Sequence, residues 1–101
     1  MSKSKDEIIN EIREHISDRG GDYSNWYVGR ETCSNARQQL FSAHHVRQKG
    51  DCWIHRRADS STTAREIESY FIAHLHTDGK NEAGEAADTI YAYRKAPHTT
   101  P

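Results

Sequence analysis

A run of apolar residues at helical spacing, interrupted by one carboxylate, is the feature that most limits how this chain can fold. From Thr62 to His76, the residues Ala64, Ile67, Phe71, Ile72 and Leu75 fall on one face at roughly 100° per residue. That stripe predicts an amphipathic helix with one side against a core. Glu68 stands between Ala64 and Phe71 and projects from the same face, whereas Glu66 projects from the opposite one. A carboxylate aimed at a core is costly unless it is paired or holds a metal ion. The helix must therefore lie against something that gives Glu68 a partner, or leave it at the core edge where it can reach water.

The apolar material available for that core is thin. Only 34% of the 101 residues are hydrophobic, and the mean hydropathy is -1.02. These residues nevertheless cluster periodically, as in a folded chain. The length predicts a single domain spanning 1–101. The formal net charge is -1, so no global basic field points to nucleic acid. The charge is uneven, however: residues 23–75 carry seven basic and five acidic side chains and are mildly positive. No apolar run suits a membrane span or a signal peptide. The two cysteines, Cys33 and Cys52, form neither a CxxC motif nor a disulfide framework. A cytoplasmic, reduced protein without a membrane partner is the expectation.

Along the chain, residues 4–19 read as a first helix. Ser4 to Glu7 forms a capping box, Ile8, Ile12 and Ile16 form its stripe, and Gly20-Gly21 stops it. Trp26–Arg30 reads as a strand with Trp26 and Val28 on one face and Tyr27 and Gly29 on the other. A second helix is expected from Asn35 to His45 on the stripe Ala36, Leu40, Ala43. A second strand follows over Cys52–Ala58, and then the Glu68 helix, with Thr63 and Glu66 as its capping box. Residues 77–88, rich in Gly, Ala and acid, read as a flexible loop. A third strand covers Thr89–Lys95, with Tyr91 and Tyr93 on one face, and 1–3 and 96–101 are expected to fray. The fold class is α/β (α+β): a three-stranded sheet covered by three helices in the order α-β-α-β-α-β. Its core should include Ile8, Ile12, Ile16, Trp26, Val28, Leu40, Ile54, Ile67, Phe71 and Leu75.

The series Tyr27-Val28-Gly29, Leu40 with His44, Trp53, and Ala64 with Glu68 resembles the GIY-YIG nuclease superfamily. The resemblance covers Trp26 to about Leu75. It implies that Tyr27 and Gly29 match the tyrosine and glycine of the YIG strand, that His44 matches the histidine of the helix, and that Glu68 matches a glutamate holding Mg²⁺ or Mn²⁺. Such a site cleaves a phosphodiester of DNA or RNA: the metal offsets phosphate charge, tyrosine orients or deprotonates the attacking water, and arginine stabilises the pentavalent state.

Two positions depart from the family pattern. No GIY strand precedes Tyr27, although Ile90-Tyr91-Ala92-Tyr93 could take its place in the sheet as if the fold were permuted, bringing Tyr91 or Tyr93 beside Tyr27. The family arginine is replaced by Gln39. Arg37 lies on another side of that helix, and Arg30 or Arg56 are the remaining candidates for its role. Arg30, Arg56 and Arg57 could also contact phosphate. The resemblance thus implies nucleic-acid processing or binding with cleavage weakened or lost. The alternative is a small non-enzymatic module that keeps the scaffold and binds a protein partner. An exposed aromatic patch would favour that alternative, and a concave basic pocket lined by Tyr27, Glu68 and Arg37 or Arg56 would favour the nuclease.

Overall fold

The computed structural model describes residues 4–79 and 87–100. The segment 1–3 and most of the acidic loop expected at 77–88 lie outside the described residues. The protein is a small α+β domain. Helix α1 (Lys5–Ser17) starts at Ser4, whose hydroxyl accepts from the Glu7 amide while the Glu7 carboxylate accepts from the Ser4 amide. This reciprocal cap satisfies two amides that the first turn would leave free. Ile8, Ile9, Ile12 and Ile16 are buried, each contributing about 2 kcal/mol. Gly20 and Gly21 then take positive φ, where a side chain would strain the backbone.

Strand β1 (Trp26–Glu31) follows a 3-10 turn, Tyr23–Asn25, capped by the Asp22 carboxylate. Strands β2 (Trp53–Arg57) and β3 (Thr89–Arg94) complete the sheet in the order β1-β3-β2. Both outer strands run antiparallel to β3. The last strand is therefore central, and β1 lies next to Ile90–Tyr93. The register sets Tyr27 opposite Tyr93, Gly29 opposite Tyr91 and Trp53 opposite Tyr93. Thr77–Gly79 is not simply a loop. Asp78 bridges to Tyr27, its amide donating to the Trp26 carbonyl and its carbonyl accepting from the Val28 amide.

Helix α3 (Ser61–His74) begins earlier than the Thr63/Glu66 capping box implies. Ser60 is the cap, and its hydroxyl accepts from the Thr63 amide at 3.1 Å. The expected Asn35–His45 helix is also shorter and irregular. One α turn, α2 (Ala36–Gln38), widens into a π turn over Gln39–Ala43, closed by the His44 amide on the Gln39 carbonyl.

The sheet divides two cores. On one face α1 and α3 pack their isoleucines, Ala64 and Phe71 against Trp26, Val28, Ile54, Ile90 and Ala92. On the other, Leu40 and Val46 pack against Tyr27, Tyr91 and Tyr93. Every expected core residue is buried except Leu75, which is only partly covered.

Candidate functional site

Strand alternation decides which candidate residues can meet. On β1 the even residues Trp26, Val28 and Arg30 face α1 and α3, and the odd residues Tyr27 and Gly29 face α2. Arg30 therefore shares a face with Glu68. Its Nε donates to Glu68 Oε1 at 2.8 Å, with side chains 4% and 2% exposed. Burial pushes the Glu68 carboxyl up, and the hydrogen bond and charge of Arg30 pull it part of the way back. The acid that the sequence singles out is thus half of a buried ion pair.

This arrangement does not fit a divalent cation. The Glu68 carboxylate is already held by a cation, and Mg²⁺ or Mn²⁺ would add a second positive charge beside the buried guanidinium. Among the described residues, no three His, Cys, Asp or Glu side chains are grouped to hold a metal ion. Tyr27 lies across the sheet from Glu68, so the two do not line one cleft.

The tyrosines do converge. Tyr27 stacks on Tyr93 with ring centroids 5.3 Å apart and on Tyr91 at 6.4 Å. His44, carried by the end of the π turn, lies 4.8 Å from the Tyr27 ring. Its Nε2 is 2.8 Å from the Tyr91 hydroxyl, and its Nδ1 is 2.6 Å from the Thr100 carbonyl. The carbonyl can only accept, so Nδ1 carries the proton and, in the neutral ring, Nε2 accepts from Tyr91. Gly29 makes this packing possible: a Cβ there would meet the Tyr91 hydroxyl at 2.5 Å. Burial pushes the Tyr91 and Tyr93 phenols well above their ordinary range. They are hydrogen-bond donors here and poorly suited to deprotonate water.

The remaining basic candidates are dispersed. Arg56 pairs with Glu11 and also donates to the His55 carbonyl. Arg57 pairs with Asp88 at 3.0 Å and stays largely exposed. Gln39, at the position of the family arginine, lines a polar cleft of about 210 Å³ with Glu31, Asn35, Gln38 and Ser42. Arg37 instead lies over aromatic rings at the outer edge of the sheet. Its guanidinium sits 5.6 Å from the Phe41 ring centroid and 5.8 Å from that of Trp53.

That last contact belongs to a surface the sequence marks only through Trp53. Phe41 meets the Trp53 ring edge-on at 5.0 Å, and His55 stacks parallel to it at 5.7 Å. Trp53 Nε1 is anchored on the Gln48 carbonyl at 3.0 Å. All three rings are half-buried on the tyrosine side of the sheet. The segment 35–58 that builds this surface carries Arg37, Arg47, Lys49, Arg56 and Arg57 against the single acid Asp51. Arg56 faces the helices, whereas Arg37 lies over the rings and Arg57 shares a strand face with Trp53 and His55.

The fold and site define a small α+β domain with a buried tyrosine-histidine cluster flanked by a basic aromatic surface. No family model, curated protein or solved structure matches the chain.

Proposed function

We propose that this domain binds nucleic acid on the surface formed by Arg37, Phe41, Trp53 and His55, without cleaving it. The observation that carries this reading is the half-exposed Trp53 ring, fixed by its own hydrogen bond and flanked by a guanidinium, in a segment with five cations against one acid. Flat rings take base faces with little regard to sequence, and the surrounding cations displace counterions from phosphates. Binding without cleavage is supported by the separation of the candidate catalytic groups. Glu68 is committed to Arg30 on one side of the sheet, and the tyrosines are on the other.

Fluorescence anisotropy with short single-stranded oligonucleotides tests the reading. Binding should not need Mg²⁺ and should weaken as salt rises. Trp53→Ala should weaken it by about 10-fold or more, within the ~1–3 kcal/mol that one stacked base contributes. No binding at low salt by folded protein would sink the proposal.

A second reading, capture of a protein partner, is favoured by the same half-exposed Phe41 and Trp53, since paired aromatics are enriched in the centres of protein interfaces. Its affinity would depend on Trp53 but only weakly on salt.

A further inference from the structure

The stretch from Ala96 to Thr100, expected to fray, is instead tied across the tyrosine-histidine cluster. The Thr99 hydroxyl accepts from the Ala96 amide and donates to the Ala96 carbonyl, both at 2.9 Å. His98 pairs with Asp51, and the Thr100 hydroxyl meets His45 Nδ1 at 3.0 Å. Thr100 itself is exposed on its outer side. Its backbone, however, fills three polar positions. Its carbonyl oxygen accepts from His44 Nδ1 at 2.6 Å and from the Tyr93 hydroxyl at 3.2 Å, and its amide donates to the His44 carbonyl at 2.8 Å.

We propose that His44 and Tyr93 form a recognition site for the keto edge of a nucleobase, thymine, uracil or guanine, and that the Thr100 backbone occupies it as an internal substitute. The inference rests on the nucleic-acid reading above and identifies which bases the surface selects. Two donors converge on one atom, which needs two lone pairs. A carbonyl oxygen has them, and the ring nitrogen of cytosine or adenine has one. The third position, the His44 carbonyl, needs a donor beside that oxygen. The N–H next to O4 of thymine or O6 of guanine supplies it, whereas a phosphate oxygen brings no donor and would face the lone pairs of the His44 carbonyl. Trp53 is the cross-strand partner of Tyr93, so a base in this site lies next to the stacking surface. Tyr93 is fully buried and keeps its proton, so it can only act here as a donor or an acceptor through its hydroxyl.

The test compares oligo(dT) with oligo(dC), whose rings match in size and differ at this edge, at about eight nucleotides. The full chain should bind oligo(dT) about 10-fold more tightly. Exchange of the Thr100 amide, followed by NMR, should speed up when oligo(dT) saturates the protein. Tyr93→Phe should bring the two affinities together, by weakening oligo(dT) more than oligo(dC). A strap-loosened variant, His98→Ala with Thr99→Val, should gain several-fold for oligo(dT) and nothing for oligo(dC). Equal affinities for both strands in the native protein, or unchanged Thr100 exchange at saturation, would overturn this inference and leave the nucleic-acid reading standing. Failure of both strands to bind would remove that reading and this one together. A response to free thymidine with none to oligo(dT) would also overturn it, pointing to a nucleoside site.

Discussion

The two faces of the sheet solve the same burial problem with opposite chemistry. Toward α1 and α3 the core is mostly aliphatic, with Trp26 and Phe71 as its buried aromatics, and its buried charges are one ion pair, Arg30 with Glu68. Toward α2 it is aromatic, and its polar groups form a neutral chain from Tyr91 through His44 to Thr100 and Tyr93. A charged pair inside an aliphatic layer is all-or-none: each partner depends on the other. A network of phenols and imidazole is built of smaller steps and can exchange one partner for another of similar shape. The comparison teaches that the two faces should fail differently: the charged one when a single partner is lost, the aromatic one in smaller steps.

The most severe way to break this contrast is to remove one member of the ion pair. Glu68→Ala leaves the Arg30 guanidinium buried without a counter-charge, and Arg30→Ala does the reverse. Each should cost about 3–5 kcal/mol, a large share of the ~5–15 kcal/mol that holds a domain together. Urea unfolding measures it. The double variant Arg30→Met with Glu68→Leu should recover most of that loss or exceed the native stability, because no charge then remains to desolvate. A double variant as unstable as the singles would mean that the pair is not the isolated unit described here.

On the opposite face, Gly29→Ala should cost less, about 1–3 kcal/mol. The new methyl would sit where the Tyr91 hydroxyl now lies, so the ring must shift and release His44 Nε2. The measurable signature is specific: the His44 imidazole signals in an NMR spectrum should move with the loss of stability. Stability and His44 signals both unchanged would show that the Tyr91 ring has room the packing does not reveal.

Much of this contrast was legible in the sequence, and its limits follow from particular residues. Alternation on β1 assigned Trp26 and Val28 to one face and Tyr27 and Gly29 to the other, as found. Carried two residues further, the same rule puts Arg30 beside Glu68, so the partner Glu68 required was within reach of the pattern. What hid it was the resemblance, which assigned the carboxylate to a metal and the arginine to phosphate. The cap of α3 was ambiguous for a local reason. Ser60, Ser61, Thr62 and Thr63 are all competent caps, and backbone geometry, not residue type, selects Ser60. The stripe Ala36, Leu40, Ala43 revealed a buried helical face but could not reveal that the turn widens to π form. The aromatic surface depended on register: Trp53 faces Tyr93 only because β3 is central, and β3 arrives last in the chain. The Thr100 contacts to His44 and Tyr93 are made by backbone atoms, which leave no trace in residue identity.

The smallest expected effect lies where α1 meets the aliphatic face, and it sharpens the comparison through pH. His15 packs its ring edge-on against Trp26 at 5.5 Å, and its Nε2 is buried with no hydrogen-bond partner among the described residues. Burial, with Arg19 and Arg56 nearby, pulls its pKa down to about 4, while Asp18 pulls weakly the other way. Above the ordinary histidine value of ~6.5 the ring is neutral whether the chain is folded or not. Below it, the unfolded chain takes up a proton that the folded chain resists, so stability is lost as pH falls through the window from about 6.5 to about 4. His15→Phe keeps the contact with Trp26, removes the unpartnered nitrogen and removes this proton uptake. It should raise stability at neutral pH by about 1 kcal/mol and flatten the acid limb of the stability curve between those values. A curve identical to that of the native protein would show that His15 is not the source of the acid sensitivity.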